Sequence, residues 1–110
     1  MAFTGNEGAY ITIAQGNAWT TSYRNANPTA VKAHFYGKTK LNEVLNQTGC
    51  VGIRMYRAID DTGALQLVLV GVNANEQDLT AGLILERSLL CPPYCDGFSS
   101  LNGYSGPPPG

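Results

Sequence analysis

The clearest pattern of hydrophobic and polar positions lies in the middle of the chain. Apolar side chains alternate with small or polar ones from Val51 to Ile59, and a nearly continuous apolar run extends from Leu65 to Val72. Alternation indicates a strand with one buried face, whereas a continuous run indicates a strand that is covered on both faces or central in its sheet. The intervening Asp60-Asp61-Thr62-Gly63 is typical of a turn. Residues 51–72 are therefore predicted to form a long β-hairpin.

Helical spacing of apolar positions predicts two helices before this hairpin. The first begins at Thr12, which forms a capping-box pattern with Gln15, and ends near Arg24. The second covers residues 38–47 and is closed by Gly49, a residue suited to a left-handed C-terminal position. The expected buried face of the first helix consists of Ala14, Ala18, Trp19 and Tyr23.

Two further segments have less decisive patterns. Residues 31–36 alternate weakly, which fits a short strand or the start of the second helix. Residues 79–90 are rich in leucine, and we favour a helix over 79–87, with Asp78 as its cap, against the alternative of a strand. The whole pattern predicts an α+β fold, in which two helices cover one face of a small antiparallel sheet built around the hairpin. Its expected core includes Trp19, Leu45, Ile53, Leu67 and Leu69.

The two ends of the chain lack such periodicity. Residues 1–10 contain two glycines, and Pro107-Pro108-Pro109 lies near the other end. Because proline has no amide donor, neither Pro92-Pro93 nor the triproline continues a regular element. We therefore expect an arm over residues 1–10, a single α+β domain over 11–95 and a Gly/Pro-rich tail over 96–110.

Composition and charge exclude several classes of protein. The chain has 110 residues, which fits one domain, and 44% of them are hydrophobic, which is enough for a core. Only 14% are charged and the formal net charge is -1, so a basic nucleic-acid binder and a polybasic membrane-surface domain are excluded. No apolar run approaches the roughly 20 residues of a membrane span. A surface with so little charge repels other copies of the chain weakly.

The N-terminal sequence bears on the compartment. Residues 1–8 contain no basic region followed by an apolar region, which is the pattern of a signal peptide. A cytoplasmic protein is the default expectation. Export without a leader, or after removal of a leader, is the alternative that this pattern leaves open.

Three cysteines give the sequence its most suggestive chemistry. Cys91 and Cys95 flank Pro92-Pro93-Tyr94, and two thiols so spaced close a small disulfide ring if their Cα atoms come within about 7 Å. A catalytic redox pair is disfavoured, because such pairs are usually spaced CxxC at a helix start. The same two sulfurs with Cys50 and His34 would also make an allowed zinc set, although Cys50 is more simply a small buried side chain. We expect Cys91 and Cys95 to hold the tail in place, with or without a disulfide between them, and we expect no metal ion.

No catalytic constellation is recognisable. The sequence has no nucleophile elbow, phosphate-binding glycine loop or metalloprotease motif. His34 is the only histidine, and its neighbours Phe35 and Tyr36 favour a structural position. The carboxylates of Asp60 and Asp61 lie in a predicted turn, where solvated Asp residues are common. We therefore expect neither an enzyme nor a cofactor.

Three segments taken together resemble a group of small uncharacterised bacterial proteins of the kind common in Bacteroidota. They are Gly49-Cys50-Val51-Gly52-Ile53-Arg54-Met55-Tyr56, Leu67-Val68-Leu69-Val70-Gly71-Val72 and Cys91-Pro92-Pro93-Tyr94-Cys95. The resemblance covers residues 10–95 and leaves out the 15 residues that follow. It implies a bacterial source, and it implies no activity, ligand or site residue.

The expected function follows from low charge, an apolar hairpin and aromatic residues near both ends. We expect a non-catalytic structural or interaction protein that associates with copies of itself, as a homo-oligomer or filament. Aromatic side chains on the two ends are the interface candidates, since each removes much apolar area from water. They are Phe3, Tyr10, Phe98 and Tyr104. The alternative is a thiol-bearing regulatory or metal-binding module that uses the Cys91–Cys95 loop.

Overall fold

Two α-helices and five strands are formed by residues 2–107, which are the residues that this computed structural model describes. The helices are α1 (Ile13–Ala26) and α2 (Lys38–Leu45), and a short 3₁₀ helix spans Ser100–Asn102. The strands are β1 (Ala33–Phe35), β2 (Cys50–Ile59), β3 (Leu65–Asn73), β4 (Ile84–Leu85) and β5 (Leu89–Cys91). The predicted α+β class is confirmed.

The described residues fall into two compact units. Residues 2–8 and 34–89 form the hairpin unit, and residues 9–33 and 90–107 form the helical unit. The N-terminal residues predicted as an arm thus divide after residue 8, and the described residues of the predicted tail cluster with α1. The other residues of the predicted arm and tail, 1 and 108–110, lie outside the described residues.

The hairpin unit contains the predicted hairpin. Strands β2 and β3 pair antiparallel from Cys50↔Asn73 to Ile59↔Leu65, and β4 pairs with the other side of β3. In the turn, Asp60 Oδ1 accepts hydrogen bonds from the amides of Thr62 (2.9 Å) and Ala64 (3.0 Å). These bonds satisfy amides in the turn that have no partner in the hydrogen-bond ladder between β2 and β3, as the turn residues predict.

The core of the hairpin unit is small and lies where α2 packs on β2 and β3. Val44 of α2 and Leu69 of β3 are 2% and 1% exposed, and Val70 and Val72 are also buried. Burying one such side chain contributes roughly 1.5–3 kcal/mol. Gly71 lets the elements approach, because a Cβ there would lie 2.9 Å from Cys50 Sγ and from Gln47 Nε2.

The helix predicted over 79–87 is wrong. This segment forms turns and β4, because its backbone groups are engaged by other elements. The Leu79 amide donates to the carbonyl of Gly71 (2.8 Å), and the Leu83 amide donates to Gln47 Oε1 (2.8 Å). Asp78 is bridged to Val72 and is not a helix cap. Tertiary pairing therefore outweighs the leucine-rich pattern.

The helical unit begins with the predicted capping box. The Gln15 amide donates to Thr12 Oγ1 and the Thr12 amide donates to Gln15 Oε1, both at 3.1 Å, and α1 continues to Ala26. Within this unit α1 packs against the 3₁₀ helix. The segment 31–36, left open between strand and helix, contains strand β1, which pairs with β5.

The predicted core is partly wrong. Leu69 is buried as expected, and Ile53 and Leu67 are half-buried. Trp19 is 64% exposed and Leu45, the last residue of α2, is also exposed. Ala14, Ala18 and Tyr23 of the predicted α1 face are exposed as well, and α1 contains no buried residue. Helical spacing identifies an apolar stripe, but it does not show whether another element covers that stripe.

Candidate interaction surface

Several large apolar residues of α1 and of the segment before it are exposed. We call this set the α1 surface, and it consists of Tyr10, Ile11, Ile13, Trp19 and Tyr23. Tyr10 is fully exposed and Trp19 is 64% exposed. Single exposed apolar residues are ordinary on proteins, whereas large contiguous apolar patches are typical of interaction surfaces.

The side of α1 that packs inward is small and polar. Gly16, Asn17, Thr20 and Arg24 are its half-buried residues. A Cβ on Gly16 would lie 3.2 Å from Leu101 Cδ2, so the glycine permits close approach of the 3₁₀ helix. Arg24 Nη1 donates to the Leu101 carbonyl (2.6 Å), and Asn17 Oδ1 is buried without a hydrogen bond from any residue in 2–107. Helix α1 thus packs small and polar side chains against its unit and leaves the Trp19 and Tyr23 rings exposed.

A groove runs beside that contact. It has a volume of about 190 Å³. Its walls are Trp19, Thr20, Tyr23, Arg24, Lys32 and Leu101. Trp19 and Tyr23 are four residues apart, so their rings lie on the same side of α1. The groove is therefore aromatic on one wall and carries cationic side chains at Arg24 and Lys32.

Cys91 and Cys95, the candidate pair whose redox state the sequence left open, form a disulfide. The two Cα atoms are 4.8 Å apart, and Cys91 is buried at 6% exposure. The amide of Tyr94, a residue of this ring, donates to the carbonyl of Leu90, which precedes the ring (2.9 Å). The Tyr94 side chain is 64% exposed. Both sulfurs are used in this bond, so neither is a thiolate ligand for the zinc set considered from the sequence.

The other two zinc candidates are each engaged locally. Ser88 Oγ donates to Gln66 Oε1 (2.8 Å), so its contact with His34 Nδ1 (3.0 Å) makes that nitrogen the donor. Burial lowers the pKa of His34, which favours the neutral ring. Cys50 Sγ donates to the Gly52 carbonyl (3.2 Å). Among residues 2–107 no group of three or more His, Cys, Asp or Glu side chains is arranged to hold a metal ion.

The four predicted interface residues lie in different environments. The Phe3 amide donates to the Ala74 carbonyl (2.9 Å), and its half-buried ring lies 5.7 Å from the Arg54 guanidinium. Phe98 and Tyr104 pack edge to face with ring centroids 5.3 Å apart. Tyr10 alone is fully exposed. Phe3 belongs to the hairpin unit and the other three residues belong to the helical unit, and the predicted set leaves out Trp19.

A charged cluster in the hairpin unit was missed by the sequence analysis. Asp78 accepts hydrogen bonds from the Tyr56 hydroxyl and the Arg54 guanidinium. The hydrogen bond from Tyr56 has the larger effect on Asp78, and together with the bond from Arg54 it lowers the pKa of this carboxyl group. The same bonds raise the pKa of Arg54 and of Tyr56. Arg54 and Tyr56 lie two apart on β2 and so share a face, which is the only signal that could have found them. The cluster ties β2 to the turn that follows β3.

Comparisons with known proteins give no relative from which a function could be transferred. No protein-family model, curated protein or solved structure matches the chain. No helix within residues 2–107 is both long and apolar enough to cross a membrane. The function is therefore inferred from the surface of the molecule itself.

Proposed function

We propose that this chain is a non-catalytic structural protein whose copies associate, as subunits of a homo-oligomer or a filament. The observation that carries the proposal is the α1 surface, because a helix of 14 residues has no buried side chain while Trp19 and Tyr23 are exposed. Helices in proteins derive most of their stability from packing of an apolar face. A second copy of the chain would supply that packing.

The size of the α1 surface supports a contact between copies. Aromatic side chains each bury roughly 150–250 Å², and the exposed fractions of Tyr10, Trp19 (64%) and Tyr23 (43%) together equal about two such rings, so they offer on the order of 400 Å². One partner in a standard interface contributes about 800 Å², so these three rings would supply about half of it. The remainder would come from neighbouring residues, including Ile11 and Ile13.

The charge distribution also supports contact between copies through the α1 surface. Arg24 is the only charged residue of α1, and its guanidinium is bound within its own unit to Leu101 and Thr21. Two copies that met through the α1 surface would therefore bury few unpaired charges. Charged residues are depleted in the cores of protein interfaces, whereas Trp and Tyr are enriched there.

The test is sedimentation velocity of the full chain over a wide range of concentrations, with two matched variants. Trp19→Glu places a charge on the α1 surface, and Met55→Glu does so at a β2 residue of similar exposure, 59%. We expect wild type and Met55→Glu to associate as concentration rises, and Trp19→Glu to remain monomeric. Circular dichroism checks that both variants fold. A wild-type chain that stays monomeric at every concentration would overturn the proposal, and loss of association in Met55→Glu alone would move the interface to β2.

A further inference from the structure

The groove beside α1 has the features of a site for a proline-rich segment. Short proline-rich segments bind in grooves lined by aromatic rings, where they adopt the polyproline II conformation. Trp19 and Tyr23 supply such a wall, and Leu101 supplies an apolar floor. The volume of about 190 Å³ lies below the roughly 300 Å³ at which small-molecule pockets begin. It therefore suits one or two side-chain rings of a peptide better than a cofactor.

We propose that this groove binds the Pro107-Pro108-Pro109 segment of a second copy of the chain. The inference rests on the proposed self-association and names the contact that links the copies. Three of the six prolines of the sequence lie in this segment, and they are consecutive. Because the proline ring fixes φ, such a run loses little conformational freedom when it binds.

Hydrogen bonding favours proline as the occupant. Within residues 2–107 the Trp19 indole N–H has no hydrogen-bond partner, and a buried indole normally requires one. Polyproline II carbonyls make no internal hydrogen bonds, so they are free to accept from Trp19 and from the Lys32 ammonium. Proline has no amide N–H, so burying the segment would leave no backbone donor unsatisfied.

Of these three prolines in the same chain, the structure describes Pro107, and its hydrogen-bond partner does not line the groove. The Pro107 carbonyl accepts a hydrogen bond from the Tyr104 hydroxyl, and Tyr104 packs against Phe98. Pro107 is exposed and is not among the residues that line the groove. Within residues 2–107 the groove is thus not filled by this segment of its own chain, and a second copy is the occupant that we propose.

This contact would join two different surfaces, a proline segment on one copy and a groove on the next. Such head-to-tail contacts form a closed ring if the rotation closes and an open filament if it does not. By contrast, contact of one α1 surface with another would be self-complementary and would stop at a dimer. The inference therefore predicts assemblies larger than dimers.

The test uses the full chain, and it follows both the sedimentation and the fluorescence of Trp19, the only tryptophan. In one variant Pro107, Pro108 and Pro109 are replaced by Ala. In the matched control Pro92 and Pro93, the only other adjacent prolines, are replaced by Ala. We expect the wild type and the control to associate with a shift of Trp19 emission to shorter wavelength. The tail variant should associate at least about tenfold more weakly.

A synthetic peptide Gly-Pro-Pro-Pro-Gly supplies the second arm of the test. Added in excess, it should dissociate the wild-type assembly while keeping the Trp19 emission shifted. If the tail variant associates as strongly as wild type, the inference is wrong and the proposed function stands. If the control loses association instead, the Cys91–Cys95 loop is the occupant. If wild type never associates, both proposals are wrong. A monomer whose Trp19 emission depends on the tail prolines would show that the segment binds its own chain.

Discussion

The two helices of this protein differ in what covers them. Helix α2 has eight residues and packs Val44 against the hairpin, where that side chain is 2% exposed. Helix α1 has 14 residues and a capping box, yet none of its side chains is buried. Helix α1 also packs within its own unit, against the 3₁₀ helix, but it does so through Gly16 and polar residues rather than through a buried apolar side chain. The hairpin unit thus buries a residue of its helix within one chain, whereas the helical unit leaves every residue of α1 at least partly exposed.

The largest expected effect separates the core from the α1 surface. Leu69→Ala should lower the free energy of unfolding by about 2–5 kcal/mol, because it leaves a cavity where a side chain only 1% exposed had packed. Trp19→Ala should change the stability of the dilute monomer by less than about 0.5 kcal/mol, because the ring is mostly exposed. Urea unfolding at low protein concentration measures both. A large loss in Trp19→Ala would mean that α1 is packed within its own chain.

The next effect concerns close approach in the hairpin unit. Gly71→Ala should cost about 1–3 kcal/mol, because its Cβ would meet Cys50 Sγ and Gln47 Nε2 at 2.9 Å. Gly52 of β2 is the matched control. It pairs with Val72 of β3, and a Cβ there would meet nothing within 4 Å. Gly52→Ala should be neutral within about 0.5 kcal/mol. Equal costs for the two variants would show that Cys50 and Gln47 do not approach Gly71 as described.

A smaller effect is expected for the disulfide of the helical unit. Replacing Cys91 and Cys95 with Ser should leave the fold intact and cost at most about 2 kcal/mol, because a short ring restricts few unfolded conformations. Circular dichroism and urea unfolding of the double variant measure this. Cys50→Ser is the control for removal of a thiol. Complete loss of structure in the double variant would mean that the ring, and not packing, holds the helical unit together.

The smallest effect is the pH dependence of the hairpin turn. Hydrogen bonds from the Thr62 hydroxyl and then the Ala64 amide lower the pKa of Asp60 to about 2. A lowered pKa stabilises the folded state above the ordinary value of 3.8, and the contribution is lost as the pH falls towards 2. Thermal unfolding between pH 5 and pH 2 should show this loss in wild type and in Asp61→Asn. A loss of the same size in Asp60→Asn would contradict the assignment.

The features that could be predicted from the sequence are local ones. The hairpin, its Asp60 turn, the Thr12 capping box and the Cys91–Cys95 ring each depend on residues close together in the chain. Their geometry is set by short-range hydrogen bonds and covalent distance, so residue type and spacing suffice.

The features that could not be predicted depend on distant partners. Residues 79–87 are not helical because Gly71 and Gln47 engage their amides, and nothing near position 79 in the sequence shows this. Trp19 lies on an apolar stripe of α1, but helical periodicity does not show whether a stripe faces a core or another molecule. The residues of the proposed groove are brought together by contact of α1 with the 3₁₀ helix, more than 70 residues further along the chain.

Collisional quenching of Trp19 fluorescence by acrylamide, followed as protein concentration rises, tests most directly whether the α1 surface joins the copies. The account predicts that the ring, 64% exposed in the single chain, becomes protected as copies associate. The quenching constant should then fall severalfold in wild type and in Met55→Glu, in step with the increase in sedimentation coefficient. A quenching constant that stays unchanged while the protein assembles would show that another surface joins the copies and that the α1 surface remains in solvent.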